Sequence, residues 1–222
     1  MADVPDDVNH GARRRPWLGS LLTLITGGLA IASLAYLIDN RQAAAAIDAA
    51  ARQSAEALNA SMAPLLAGLP ANGPLPPETK SAIEAVLSKT PAGRDVVTLK
   101  IWDSAGRVVH SNRKWLDARV FPITPNLAKA LKGTVVGDIG GLDDEENESE
   151  QAVGIPLLEV YAPIRKSGSE PVTAVAEYYS KASALDARLK ARRFQIWTIA
   201  GLAFAGIAAL AVAFAWLRSR RV

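Results

Sequence analysis

The sequence predicts an α+β membrane protein, with two transmembrane helices flanking a five-stranded antiparallel sheet domain that has a long N-terminal helix. Two long runs without a charged residue lie at 21–38 and 196–217. Over 40–66, apolar residues recur every three or four positions, which is the period of one helix face. Between 96 and 179, short runs rich in valine, isoleucine and tyrosine alternate with turn residues, as in an antiparallel sheet.

The run 196–217 predicts a transmembrane helix. It contains 22 residues without a charge or a proline. At about 1.5 Å of rise per residue, such a helix crosses a hydrocarbon core of about 30 Å. Trp197 and Trp216 lie near its ends, and arginines follow at 218, 220 and 221, as at a cytoplasmic membrane edge. The alternative, a buried core helix, is usually shorter and less uniformly apolar.

The run 21–38 predicts a first transmembrane helix and sets the topology. Three arginines at 13–15 precede it, so the positive-inside rule places the N-terminus in the cytoplasm, and the second helix returns the C-terminus there. The alternative is a cleavable secretory signal, because Ser33-Leu34-Ala35 resembles a cleavage site. Under either interpretation, the region between the runs lies outside the cytoplasm.

These boundaries predict a multi-pass protein of the inner (plasma) membrane with five segments. They are a disordered cytoplasmic tail (1–16), the first transmembrane helix (17–38), an extracytoplasmic domain (39–195), the second transmembrane helix (196–217) and a cytoplasmic end (218–222).

Charge and composition argue against nucleic-acid binding and against catalysis. The chain has 25 Lys and Arg and 22 Asp and Glu, but the two counts are equal within 39–195. The excess of basic residues therefore lies beside the two apolar runs and reflects membrane topology. The chain has no cysteine, which excludes disulfides and thiolate chemistry. No catalytic or phosphate-binding motif is found, so we expect no enzyme and no cofactor or metal. The acidic run 138–150 is interpreted as a solvated loop, with divalent-cation binding as the alternative.

The extracytoplasmic region predicts helices first and strands afterwards. The long helix over 40–66 continues the first transmembrane helix, and a Gly- and Pro-rich break at 68–77 separates it from a short helix over 78–89. Five strands follow at 96–103, 107–112, 134–139, 157–165 and 172–179. Gly106 supplies a positive φ in the first hairpin turn, and a helical turn lies at 125–132. The last strand leads into a helix over 180–195 that continues into the second transmembrane helix.

The first hairpin, WDSAGRVVHS, and the last, LEVYAPI followed by AVAEYY, resemble the extracytoplasmic PAS-like (Cache or PDC) sensor domain of bacterial two-component histidine kinases. The resemblance implies a sensory input module that works with a histidine kinase or response-regulator system. It also implies a ligand pocket floored by one face of the sheet. Kinase chemistry is not expected in this chain, because its only histidines are His10 and His110. It would belong to sequence beyond the chain or to a partner.

The period of two along each strand predicts which side chains face that pocket. Val97, Leu99 and Ile101 share the face that packs on the long helix. The opposite face carries aromatic and charged side chains, among them Glu159 and Glu177, and the resemblance to PAS-like sensors implies that the segment after the first hairpin covers it. Basic groups over aromatic walls suit a small carboxylate or another anion. The predicted ligand-binding residues are Lys100, Trp102, His110, Arg113, Lys114, Tyr161 and Tyr179. The alternative is a solvated sheet face with surface salt bridges.

A stripe of small residues in the second transmembrane helix predicts a homodimer. Gly201, Ala205, Ala209 and Ala213 recur every four residues, and small side chains let two helices approach closely in lipid. Alanine is common in this chain, so a chance stripe is the alternative.

Two functions follow from the sequence as a whole: a sensory input module that binds a small ligand, or a membrane-anchored interaction or scaffold protein with the same fold.

Overall fold

The computed structural model of the chain describes residues 16–66, 75–140, 153–165 and 171–220. Residues 1–15 of the predicted tail, 68–74 of the Gly- and Pro-rich break and 141–150 of the acidic run lie outside these residues. The chain divides into two compact units. One comprises Met1–Asn40 and Arg192–Val222, and the other comprises Arg41–Ala191.

The two longest helices are α1, Pro16–Leu66, and α5, Ser183–Ser219. Each has a stretch long and apolar enough to cross a membrane. In the first unit they meet at Gly28, where an added Cβ would lie 2.9 Å from the Phe204 ring. Further along the same helices, Arg193 Nε donates to Asp39 Oδ2 at 2.8 Å, and the Asp39 side chain is 9% exposed. The glycine therefore lets these helices approach closely, and a partly buried ion pair joins them.

The second unit is an α+β domain around a five-stranded antiparallel sheet of order β2-β1-β5-β4-β3, so the predicted fold class is confirmed at this level. The strands are β1 Val96–Trp102, β2 Val108–Ser111, β3 Val136–Ile139, β4 Leu157–Arg165 and β5 Val172–Lys181. The shorter helices are α2 Pro77–Lys89, α3 Pro91–Arg94 and α4 Pro125–Leu131. Gly106 has φ +78°, as its turn required.

One sheet face packs on α1. Ala51, Leu58 and Met62 on the helix are at most 2% exposed, and they form one core with Leu99 and Tyr178 of the sheet. This stripe of α1 covers the sheet because its apolar side chains recur at helical spacing. The predicted packing of the long helix against the Leu99 face is confirmed.

The other sheet face is covered by residues 114–131, which we call the cover. The cover contains a 3₁₀ helix, Lys114–Leu116, and α4. Leu116, Phe121 and Leu127 of the cover form a second core with Trp102 and Tyr161. Backbone hydrogen bonds pin the cover to the hairpin, including Phe121 N to Gly106 O at 2.9 Å and Val108 N to Arg119 O at 2.9 Å. Both faces of the sheet are therefore buried, and this face is not solvated.

Candidate functional site

Six polar or aromatic side chains meet beneath the cover, and we call them the polar cluster. They come from alternate positions of the three neighbouring strands β1, β5 and β4, so they share one face. Cross-strand partners bring them together, since Lys100 and Tyr161 both lie opposite Glu177, and Glu159 lies opposite Tyr179. The cluster consists of Lys100, Trp102, Glu159, Tyr161, Glu177 and Tyr179, each at most 3% exposed.

Glu177 is the centre of the hydrogen bonds in the cluster. Lys100 Nζ donates to Glu177 Oε1 at 2.8 Å, and Trp102 Nε1 donates to Glu177 Oε2 at 2.6 Å. The Tyr179 hydroxyl lies 2.7 Å from Glu177 Oε1. The Lys100 ammonium also lies 5.0 Å from the centre of the Tyr179 ring, where a cation is attracted by the aromatic face. Glu177 is therefore within hydrogen-bond distance of three different side chains.

Glu159 is bound differently, by tyrosine hydroxyls. Tyr161 donates to Glu159 Oε1 at 3.0 Å, and the Tyr179 hydroxyl contacts the same oxygen at short range. Burial and then the charge of Glu177 raise the pKa of Glu159 from its usual 4.5 to about 7, against the tyrosine hydrogen bonds and Lys100. Burial and the two carboxylates also raise the pKa of Tyr161 and Tyr179 far above the usual value, so both hydroxyls stay protonated.

The structure brings four of the seven predicted site residues into this cluster: Lys100, Trp102, Tyr161 and Tyr179. Sequence reasoning noted Glu159 and Glu177 on the same face but left them out of the predicted site, although they organise it. Their alternation with aromatic residues in LEVY and AEYY was the available signal. With two carboxylates and one ammonium, and with that ammonium already paired, the cluster gives no electrostatic support to an anionic ligand.

His110 lies on the opposite sheet face. The pairing of β1 with β2 shifts register between Ile101 and Trp102, and it places His110 opposite Ile101. Directly opposed residues share a face, so this bulge turns His110 toward the helices, where the period of two alone had placed it with Lys100. Burial lowers the pKa of His110, with Lys80 adding to the effect, while Asp117 and Glu84 oppose it. His110 is therefore a buried, neutral residue apart from the polar cluster.

Arg113 lies just before the cover and Lys114 is its first residue, and neither joins the polar cluster. Arg113 Nε is buried without a hydrogen-bond partner among the described residues, and Lys114 is exposed. No ion pair within the described ranges involves either side chain. The predicted arrangement of these basic groups above the aromatic floor is not formed in this structure.

The stripe of small residues predicted as a dimer interface is exposed on α5. Gly201, Ala205 and Ala209 are exposed, and within the described ranges an added Cβ at Gly201 would meet nothing within 4 Å. The contact with α1 uses the neighbouring face, through Phe204. The stripe is therefore free to contact a second molecule.

No protein-family model matches this chain, and no curated protein matches it significantly. Within the part of the chain that the structure describes, no group of three or more His, Cys, Asp or Glu side chains is arranged to hold a metal ion.

Proposed function

We propose that this chain is the membrane-embedded sensory input module of a two-component signal-transduction system, with a PAS-like (Cache or PDC) domain outside the membrane. One observation carries the proposal: β5, which holds Glu177 and Tyr179, is joined to α5 by Ala182 alone. A change in the polar cluster acts on the strand that leads directly into an apolar helix. The chemistry of phosphate transfer would belong to a histidine kinase partner or to sequence beyond this chain.

The surface of α5 supports a membrane location. Leu202, Leu210 and Phe214 are 69%, 72% and 67% exposed, so α5 presents large apolar side chains on sides that protein does not cover. Contiguous exposed apolar surface of this extent is unfavourable in water, whereas lipid covers it. We infer that membrane lipid surrounds this helix and that both termini lie in the cytoplasm.

The junction between β5 and α5 supports transmission of a conformational change. Ala182 N donates to Pro156 O at 2.9 Å, and Asp186 N donates to Ala182 O at 2.8 Å. Lys181 N donates to Asp95 O at 3.1 Å. The first turn of α5 is thus hydrogen-bonded to the end of the sheet without a flexible residue between them, which suits a two-state rigid-body movement.

Fusing α5, in helical register, to the cytoplasmic part of a histidine kinase with a known output tests this function. The chimera is expected to change its output several-fold when the outer solution is changed in pH or supplemented with small carboxylates or amines. Inserting two glycines after Ala182 should abolish the response, because a flexible joint absorbs the movement. The matched control is the same insertion after Gly140, at the end of β3, which should leave the response intact. An output that ignores every condition, in a chimera that reaches the membrane, contradicts the sensory function.

A membrane-anchored interaction or scaffold protein is the second candidate, and the outer surface of the cover favours it. Trp115, Val120 and Ile123 are 48%, 61% and 46% exposed, and the Arg119 guanidinium lies 5.5 Å from the centre of the Trp115 ring. Exposed aromatic and arginine side chains are enriched at protein interfaces. This candidate predicts that Trp115→Ser abolishes a partner contact and leaves the pH and ligand responses of the chimera unchanged.

We further propose that the chain forms a homodimer through Gly201, Ala205, Ala209 and Ala213. Because the chain has no cysteine, Ala213→Cys introduces a single thiol on the stripe, and Ile207→Cys places one on another face as a control. Oxidation in the bilayer is expected to crosslink copies at position 213 several-fold more than at 207. Adding Ala205→Ile and Ala209→Ile should remove most of that excess, since larger side chains separate the helices. Undiminished crosslinking would show that the stripe is not the interface.

A further inference from the structure

The polar cluster contains more buried negative charge than its cation can neutralise. Lys100 and Glu177 are 0% exposed and Glu159 is 3% exposed. Among the described residues, the ion pair of the cluster joins Lys100 to Glu177, while Glu159 is bound by tyrosine hydroxyls. Burying an ionised carboxylate is unfavourable unless a charge compensates it. Glu159 is therefore the group at which adding a proton relieves most of this cost.

Counting hydrogens in the cluster leads to the same group. The Tyr179 hydroxyl lies within hydrogen-bond distance of Oε1 of both Glu177 and Glu159. A tyrosine hydroxyl has one hydrogen and an ionised carboxylate has none, so one of these two contacts lacks a hydrogen when both glutamates are charged. A proton on either glutamate would supply it, and because the Lys100 ammonium already compensates Glu177, the proton is expected on Glu159. Glu159 then donates to Tyr179, Tyr179 donates to Glu177, and Tyr161 still donates to Glu159.

We propose that the ligand of this domain is the proton, bound by Glu159 at its contact with the Tyr179 hydroxyl. The step adds one proton from solvent to the carboxylate, forms an O–H bond and breaks no other covalent bond. It converts two carboxylates and one ammonium into one neutral acid and one ion pair. This inference takes its signalling consequence from the proposed sensory function, while the proton site stands on the geometry of the cluster.

The pKa of Glu159 and the groups around it favour proton binding near neutral pH. Its pKa of about 7 lies where a modest change in the outer solution alters its charge. His110 titrates on the other sheet face, beside Asp117, Lys80 and Glu84. The titratable or hydrogen-bonding neighbours are Lys100 and Trp102 of β1, Glu177 and Tyr179 of β5, Tyr161 of β4, the exposed Asp138 opposite Glu159 on β3, and Thr124 of the cover, which hydrogen-bonds Tyr161.

Linkage fixes the direction of the response. The pKa of Glu159 is raised on folding, so its contribution to stability is complete below about 4.5 and is lost as the pH rises through about 7. The protonated form holds β4 and β5 together through the Glu159–Tyr179–Glu177 chain. At alkaline pH, two adjacent carboxylates repel and one hydrogen is missing, which favours displacement of β5 and hence of α5.

The test is a carboxyl titration of the full chain in phosphatidylcholine–phosphatidylglycerol nanodiscs, with the side-chain carboxyl carbons of glutamate labelled with ¹³C for NMR. We expect one resonance with a midpoint near pH 7 that is absent in Glu159→Gln. Asp138→Asn is the matched control, because it removes the neighbouring exposed carboxylate and should leave the midpoint in place. In Glu159→Gln, an amide nitrogen in the place of Oε1 has two hydrogens and can donate to the hydroxyl oxygens of both Tyr179 and Tyr161, so this variant should fold and imitate the uncharged state. His110→Gln should also leave the midpoint unchanged.

A Glu159 midpoint near its ordinary value of about 4.5 overturns the proton site. The kinase chimera separates this failure from failure of the sensory function. Output that follows pH in the wild type and is fixed in Glu159→Gln supports both proposals. A Glu159 resonance that titrates near pH 7 without any change in output leaves the proton site standing and contradicts its role in signalling. Output that responds to small molecules while Glu159 titrates at its ordinary value contradicts the proton as ligand and retains the sensory module.

Discussion

Glu177→Ala is expected to destabilise the sheet domain by about 3–5 kcal/mol, because it leaves the Lys100 ammonium buried without its carboxylate. The Lys100 and Glu177 side chains are both 0% exposed at a separation of 2.8 Å. The same change removes the acceptor of the Trp102 indole N–H and one partner of Tyr179. Hydrogen–deuterium exchange of the β1, β4 and β5 amides in the full chain measures this directly. A loss of that size raises exchange about 100- to 4000-fold where exchange follows the opening equilibrium.

Two further variants isolate the ion pair. Lys100→Met should cost less than Glu177→Ala, since Glu177 keeps the Trp102 and Tyr179 donors, and combining Lys100→Met with Glu177→Gln should cost less than the sum of the single changes. The pair Lys190–Asp186 on α5, with side chains 72% and 23% exposed, is the control because water reaches both charges. Asp186→Asn should cost no more than about 0.5 kcal/mol. Additive losses for the double variant would show that the two charges do not stabilise one another.

Gly106→Ala is expected to detach part of the cover, at a cost of about 2–4 kcal/mol from backbone strain and overpacking together. Gly106 has φ +78°, and an added Cβ would lie 2.6 Å from the Phe121 carbonyl oxygen. The contacted atom is backbone, so it yields only if the cover moves. Because Gly106 O accepts from Phe121 N, displacement here releases the segment that packs on Trp102. Faster exchange of the amides at 116–121, with little change in the α2 amides, is the expected result.

Gly154→Ala separates the cost of backbone strain from the cost of overpacking. Gly154 has φ +68°, close to that of Gly106, but an added Cβ there would meet no atom of the described residues within 4 Å. Gly154→Ala should therefore show the conformational cost alone, roughly 1 kcal/mol. Equal effects of the two substitutions would mean that contact with the cover is unimportant. If the cover controls proton access to Glu159, Gly106→Ala should also speed proton exchange at that carboxyl without moving its midpoint.

The elements of this fold could be predicted because the period of apolar residues is a local property. The predicted strand 157–165 matches β4, Leu157–Arg165, and the predicted long helix over 40–66 continues an apolar helix, as in α1. Strand alternation also placed Lys100, Trp102, Tyr161 and Tyr179 on one face. It failed at His110, because a bulge in the pairing of β1 with β2 changes which face the following residues occupy and leaves no reliable mark on the sequence.

By itself, the sequence determined the two apolar helices, the five strands and the face of the sheet on which the polar side chains of β1, β4 and β5 lie. Each depends on residues within a few positions of one another. Only the tertiary structure decided that this face is sealed by the cover, that Lys100 is paired with Glu177, and that Glu159 is left to the tyrosine hydroxyls. Lys100 and Glu177 are 77 residues apart, and the charge state of Glu159 follows from what surrounds it. A carboxylate in the sequence becomes a proton site only when folding removes water from it and leaves no cation of its own beside it.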